Sequence, residues 1–158
     1  FQFKSYFEPV MVMLAIPLAM IGVIWGHLLL GFDFTMPSMV GFVSLAGIVV
    51  NDSILLVGYI KSHEKDGMSI HDSVIASARE RFRAVFITSA TTIAGMLPLL
   101  LETSTQAQVL QPLVVSIVFG MVSSTLLILL VLPCLYMLLN DFGLVSEHHL
   151  EVNTEASR

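Results

Sequence analysis

Charge is what this chain has least of. Only 12% of its 158 residues are Asp, Glu, Lys or Arg, against roughly 25% in soluble domains, while 56% are hydrophobic and the mean hydropathy is +0.87. A soluble surface cannot be built from that composition, so the class is membrane protein. Seven Lys and Arg against twelve Asp and Glu give a net charge of -5. No basic run could neutralise a phosphate backbone, which excludes nucleic acid as a partner. The single cysteine, Cys134, lies in an apolar run beside Pro133. It has no thiol mate within the chain and no metal-ligand spacing. The chain also lacks a nucleophile paired with a base, a glycine-rich phosphate loop and a metal cluster, so it is not expected to be an enzyme, and no cofactor is implied. Finally, it opens on Phe1-Gln2-Phe3-Lys4 without an initiator Met or a signal-peptide pattern, and it is expected to be cut from a longer polypeptide.

Long apolar runs are present instead. About 20 apolar residues cross the hydrocarbon core at about 1.5 Å per residue, and four segments qualify, at about residues 10–30, 38–60, 84–101 and 109–139. The fold class expected is all-α, a polytopic membrane helical bundle of four transmembrane helices. Gly31 to Pro37 is a short turn signal punctuated by Gly and Pro, Glu102 to Gln108 is short and polar, and neither carries Lys or Arg. The connection from Lys61 to Arg83 carries Lys61, Lys65, Arg79, Arg81 and Arg83, five of the chain's seven basic residues. The positive-inside rule places that loop, and with it both chain ends, in the cytoplasm, and Lys4 agrees.

The basic loop has a pattern of its own. Ser69 with Asp72 three residues later reads as a capped helix start, and Ile70, Val74, Ala78 and Phe82 recur on one face. The spacing predicts a short amphipathic helix over about 69–82 along the inner membrane surface, with Arg79 and Arg83 reaching headgroups; a solvated hairpin is the alternative. Residues 141–158 form a polar, mostly acidic tail that is expected to be disordered. Its His148-His149 pair has no second pair at ligand spacing and reads as tail composition rather than a metal site.

Within the helices, Gly22 and Gly26 form one small-residue ladder and Ser116, Gly120 and Ser124 another, the spacing that lets helix backbones approach closely. Pro17, Pro98 and Pro133 each remove an amide donor inside a span, which membrane bundles tolerate. Nine methionines are scattered without ligand spacing and read as lipid-facing or gap-filling.

The candidate chemistry lies in the second and third spans. Asn51-Asp52-Ser53 interrupts an apolar run, where a carboxylate costs about 2.5–3.5 kcal/mol and needs a reason. At about 100° per residue, Ser44, Gly47, Asn51 and Gly58 share one face, with Asp52 turned away from it. Thr88, Thr91, Thr92 and Gly95 form a matching strip, and Arg81 lies seven residues before Thr88 on the same side. A cation, hydroxyls and an amide are therefore expected to converge on one axis. The alternative is that Asn51 and the threonines only glue helices together or bond back to their own backbone.

Several motifs in register, from about Tyr6 to Leu139, resemble the C-terminal membrane repeat of resistance-nodulation-division permeases. They are Gly47-Ile48-Val49-Val50-Asn51-Asp52-Ser53-Ile54-Leu55-Leu56-Val57, Arg81-Phe82-Arg83 leading into Thr88-Ser89, Gly95-Met96-Leu97-Pro98-Leu99 and Val131-Leu132-Pro133. The loop Glu102-Thr103-Ser104 followed by Gln106-Ala107-Gln108 further resembles the branch that includes multidrug exporters.

The resemblance implies a twelve-helix, two-repeat permease of the bacterial inner membrane, of which this chain would be the last four helices. It implies a homotrimer, large periplasmic domains, and a periplasmic adaptor and outer-membrane channel as partners. It implies proton coupling at two aspartates of the other repeat, assisted by a lysine, an arginine and a hydroxyl in this one. Arg81 matches the arginine and Thr88 the hydroxyl, whereas Asn51 stands at the lysine position and offers only neutral hydrogen bonds. Asp52 has no matching acid in the best-known members; it is either a proton carrier or a hydrogen-bonded structural aspartate. The function expected is proton-driven export of hydrophobic or amphiphilic compounds. Metal-ion export by the same family and a stand-alone four-helix scaffold are the alternatives.

Overall fold

The computed structural model describes residues 7–143, side chains from residue 9 onward. Lys4, the tail beyond residue 143 and its His148-His149 pair lie outside the described residues. Those described form four helices and no strand: α1 Phe7–Leu30, α2 Met36–Lys65, α3 Ile70–Leu101 and α4 Thr105–Asp141. Each is long and apolar enough to cross a membrane. Helices are what the solvent demands, because lipid offers no partner to an unpaired amide or carbonyl.

Local chemistry sets the helix ends. Gly31 and Gly67 adopt φ of +69° and +88°, a left-handed conformation that other residues resist, and so end α1 and α2 within one turn. Thr35 and Ser38 cap the start of α2 reciprocally, the Thr35 amide donating to Ser38 Oγ at 3.2 Å. Ser69 accepts from the Asp72 amide at the start of α3, and Ser104 from the Ala107 amide at the start of α4. The α3–α4 turn is closed by Gln111, whose side-chain amide donates to the carbonyls of Leu100 and Glu102 at 3.2 and 2.7 Å.

One expectation is corrected here. Residues 69–82 do not form a separate surface helix: Ile70–Leu101 is a single helix of 32 residues. Neither Gly nor Pro occurs between Ile70 and Gly95, so the change from polar to apolar sequence at Arg83 marks a change of solvent and not a break in the backbone. At about 1.5 Å per residue, α3 is about 48 Å long, well beyond the roughly 30 Å hydrocarbon core, and it protrudes together with the Lys65 end of α2.

The central helix is α4, which packs against all three others, while α1 and α3 do not touch. The buried core runs from Met11, Ala15 and Val23 of α1 through Leu45, Val49 and Leu56 of α2 to Met121, Ile128 and Tyr136 of α4. Small residues set the α1–α4 and α2–α4 distances. A Cβ on Gly22 would collide with Ser123 and lie 2.6 Å from the Phe119 carbonyl oxygen, and one on Gly26 would lie 2.5 Å from Phe119 Cβ. Gly120 leaves room for Leu45 and Val23, and a Cβ on Gly41 would lie 2.7 Å from the Leu113 carbonyl oxygen. Ser116 and Ser124 are buried and donate to helix carbonyls, Ser116 to both Pro112 and Ser38.

Candidate functional site

Asp52 of α2 and Arg81 of α3 face each other where these two helices meet α4. Asp52 Oδ1 lies 3.9 Å from Arg81 Nη2, and the two side chains are 24% and 13% exposed. At that separation the contact is an ion pair without a direct hydrogen bond. Seven residues beyond Asp52, two turns along the same face of α2, the Tyr59 ring supports the guanidinium with its centroid 5.5 Å from Arg81 Cζ. Arg81 Nε is buried without a hydrogen-bond partner among the described residues. Beside the pair is a cleft of about 10 Å³, room for one water, lined on the α4 side by Ser124, Thr125 and Ile128. Thr125 Oγ1 is in turn 3.0 Å from Ser89 Oγ of α3. A protonatable acid, a permanent cation and hydroxyls thus meet inside an apolar bundle.

The convergence differs from the sequence expectation. Arg81 turns to Asp52, whereas Asn51 is exposed on the strip formed by Ser44, Gly47 and Gly58, about 100° away around α2. Thr88 is exposed as well, its hydroxyl donating to the Ala84 carbonyl at 2.9 Å. Thr91 and Thr92 likewise bond back to Ile87 and Thr88. Below Arg81, α3 engages α4 through Ser89, on a different face from Thr88. Thr88 and Asn51 are therefore not brought to Arg81 by the described residues.

Two further polar clusters stand at opposite ends of the bundle. At the α2–α3 end, His63 Nδ1 lies 2.8 Å from the Tyr59 carbonyl and 3.2 Å from Ser77 Oγ, with Nε2 3.5 Å from Glu80 Oε1. Tyr136 of α4 donates to Glu64 at 3.2 Å. At the other end, buried His27 has Nδ1 2.8 Å from the Val23 carbonyl, which makes Nδ1 a donor, and in the neutral ring Nε2 accepts from Ser38 Oγ at 2.7 Å. Ser116 donates to the Ser38 carbonyl at 3.1 Å and ties α4 to the same junction. A histidine within an apolar span was the available signal for this network. Among the described residues no three His, Cys, Asp or Glu side chains gather as metal ligands would.

Comparison with known proteins gives a consistent picture. The family model described as the AcrB/AcrD/AcrF family matches residues 1–140. The nickel and cobalt resistance protein CnrA of Cupriavidus metallidurans is 36% identical over 78% of this chain and 12% of its own length. The cobalt-zinc-cadmium resistance protein CzcA of the same organism is 33% identical over 87% of this chain and 13% of its own. The nickel-cobalt-cadmium resistance protein NccA of Alcaligenes xylosoxydans xylosoxydans is 33% identical over 77% of this chain. A solved crystal structure of a heavy metal efflux pump superposes with a TM-score of 0.72 at 30% identity, covering 85% of this chain and 13% of that one. The chain spans about an eighth of the length of these relatives. They are metal-resistance proteins, and so do not support the drug-exporting branch that the Glu102–Gln108 loop suggested.

Proposed function

The chain belongs to the AcrB/AcrD/AcrF family of resistance-nodulation-division permeases, and from that premise we propose that it is part of the membrane bundle of a proton-driven exporter of divalent transition-metal cations. The observation that carries the cargo is the set of relatives named for resistance to nickel, cobalt, zinc and cadmium, at 33–36% identity over more than three quarters of the chain. In this reading the protein is a transporter and not an enzyme. It sits in the bacterial inner membrane with the α2–α3 end cytoplasmic, and assembles as a homotrimer with a periplasmic adaptor and an outer-membrane channel. The cargo would be met elsewhere in the permease, on acidic or methionine ligands of the parts this chain does not include.

The segment's own contribution is coupling. Arg81 stays charged at any physiological pH, so only the Asp52 carboxylate of the pair changes charge. Ionised, it attracts the guanidinium across 3.9 Å; protonated, it releases the guanidinium to Tyr59. A proton arriving at Asp52 therefore alters the force between α2 and α3, which is what an antiporter needs to link titration to helix movement.

The test is to express the intact permease in a bacterial host stripped of its own exporters and to measure growth against nickel, cobalt, zinc and cadmium salts and against hydrophobic dyes. Tolerance should rise for at least one cation and not for the dyes. Protection against dyes alone would overturn the cargo and restore the amphiphile reading.

A further inference from the structure

We propose that the outward flank of α3, at its junction with the basic end of the bundle, is a binding site for an anionic phospholipid. Arg79, Phe82, Arg83 and Phe86 lie within a single 100° arc of the helix at about 100° per residue. All four are exposed, Phe82 by 53% and Phe86 by 58%, and the two rings stack with centroids 5.9 Å apart. Arg81, between them in sequence, points the other way into the bundle toward Asp52. Neither Arg79 nor Arg83 makes an ion pair among the described residues. The flank thus presents two guanidiniums one turn apart over a pair of aromatic rings.

The depth of these residues fits one kind of ligand. Counting about 20 residues back from Leu101, the length that crosses the hydrocarbon core, reaches Phe82. Phe82 therefore lies at the inner edge of the hydrocarbon with Phe86 one turn deeper. Arg79 lies about 4.5 Å outside that edge, and Arg83, one residue inside it, reaches the level of the lipid phosphates by extending its side chain back toward the start of α3. Planar guanidinium groups match a phosphate's oxygens in paired hydrogen bonds, and the rings provide an apolar bed for the first methylenes of an acyl chain. Two uncompensated cations select a headgroup with net negative charge over a zwitterionic one. The surface potential of an anionic leaflet adds to that choice. The inference rests on the transmembrane placement of α3, and not on the cargo or on proton coupling.

The experiment uses the intact permease, made cysteine-free by replacements including C134A, with a bimane fluorophore at A90C. Ala90 is exposed on the same arc one turn deeper than Phe86, outside the proposed site. The labelled protein is reconstituted in mixtures of phosphatidylethanolamine with phosphatidylglycerol, one or the other brominated. If each arginine contributes the attraction usual for a cation at an anionic surface, brominated phosphatidylglycerol should outcompete its zwitterionic counterpart roughly 30-fold for the quenching position. The preference should disappear in R79Q/R83Q and persist in R79K/R83K. Equal quenching by the two lipids in the unsubstituted protein would overturn the proposal. So would an unchanged preference in R79Q/R83Q. Absence of quenching by either lipid would show that another part of the permease covers this flank, and would also overturn it. The first and last outcomes need no arginine variant, so a failure of R79Q/R83Q to fold leaves the proposal open to refutation.

Discussion

Replacing Asp52 and Arg81 by their neutral near-isosteres, singly and together, separates the pair's contribution to folding from its contribution to transport. Charges 3.9 Å apart attract by about 4 kcal/mol in an effective dielectric of about 20, and by about 1 kcal/mol in bulk water. With side chains 24% and 13% exposed, the pair lies between those limits. The expected coupling energy is accordingly about 1–4 kcal/mol, to be read from a double-mutant cycle of thermal stability on the purified intact permease. Arg81→Gln strands a carboxylate and Asp52→Asn strands a guanidinium, each desolvated by α4. Asp52→Asn/Arg81→Gln strands neither, so its loss should fall short of the sum of the single losses by the coupling energy. Transport should behave differently. Efflux normalised to membrane abundance should fall in both single variants and should not return in the double variant, because the pair then has no group that can take up a proton. Strictly additive stability losses would mean that the pair is not ionised in the folded protein. Full efflux by Asp52→Asn at normal abundance would remove Asp52 from the proton path and leave it a structural residue.

Gly26→Ala should destabilise the bundle by about 1–3 kcal/mol, because the new methyl lies 2.5 Å from Phe119 Cβ and forces α1 from α4; an unchanged melting temperature would contradict this packing. Gly47→Ala meets nothing within 4 Å in this segment, so a comparable loss there in the intact permease would identify the Ser44–Gly58 strip as a face covered by the rest of the protein. His27→Phe should cost about 1–3 kcal/mol by leaving the buried Ser38 hydroxyl without its acceptor, and Ser116→Ala about 0.5–1.5 kcal/mol; both are read by thermal melting, and neutrality of both would show that the junction is not stabilising. Single cysteines at residues 66 and 105 should react with impermeant thiol reagents from the cytoplasmic and periplasmic sides respectively, and the reverse pattern would invert the proposed topology.

Helix number and the polar punctuation between helices follow from the amino-acid sequence alone, because in lipid each helix satisfies its own backbone and needs no partner to exist. Ser69 carries its capping chemistry with it, and Gly31 its turn. Legibility ended where an outcome depended on a neighbour. The hydropathy step near Arg83 resembled a boundary between two helices, yet hydropathy reports solvent, and nothing between Ile70 and Gly95 interrupts the backbone. The start of α4 was placed at Val109 by the same hydropathy criterion, whereas Ser104 caps it at Thr105 and Gln111 closes the turn onto α3. Most of all, the choice between Asn51 and Asp52 as the group that faces Arg81 is a rotation of about 100° about α2. Nothing local to α2 sets that rotation. It is set by where Leu45, Val49 and Leu56 find their core against α1 and α4, and that packing directs the acid inward and leaves the amide on the open face.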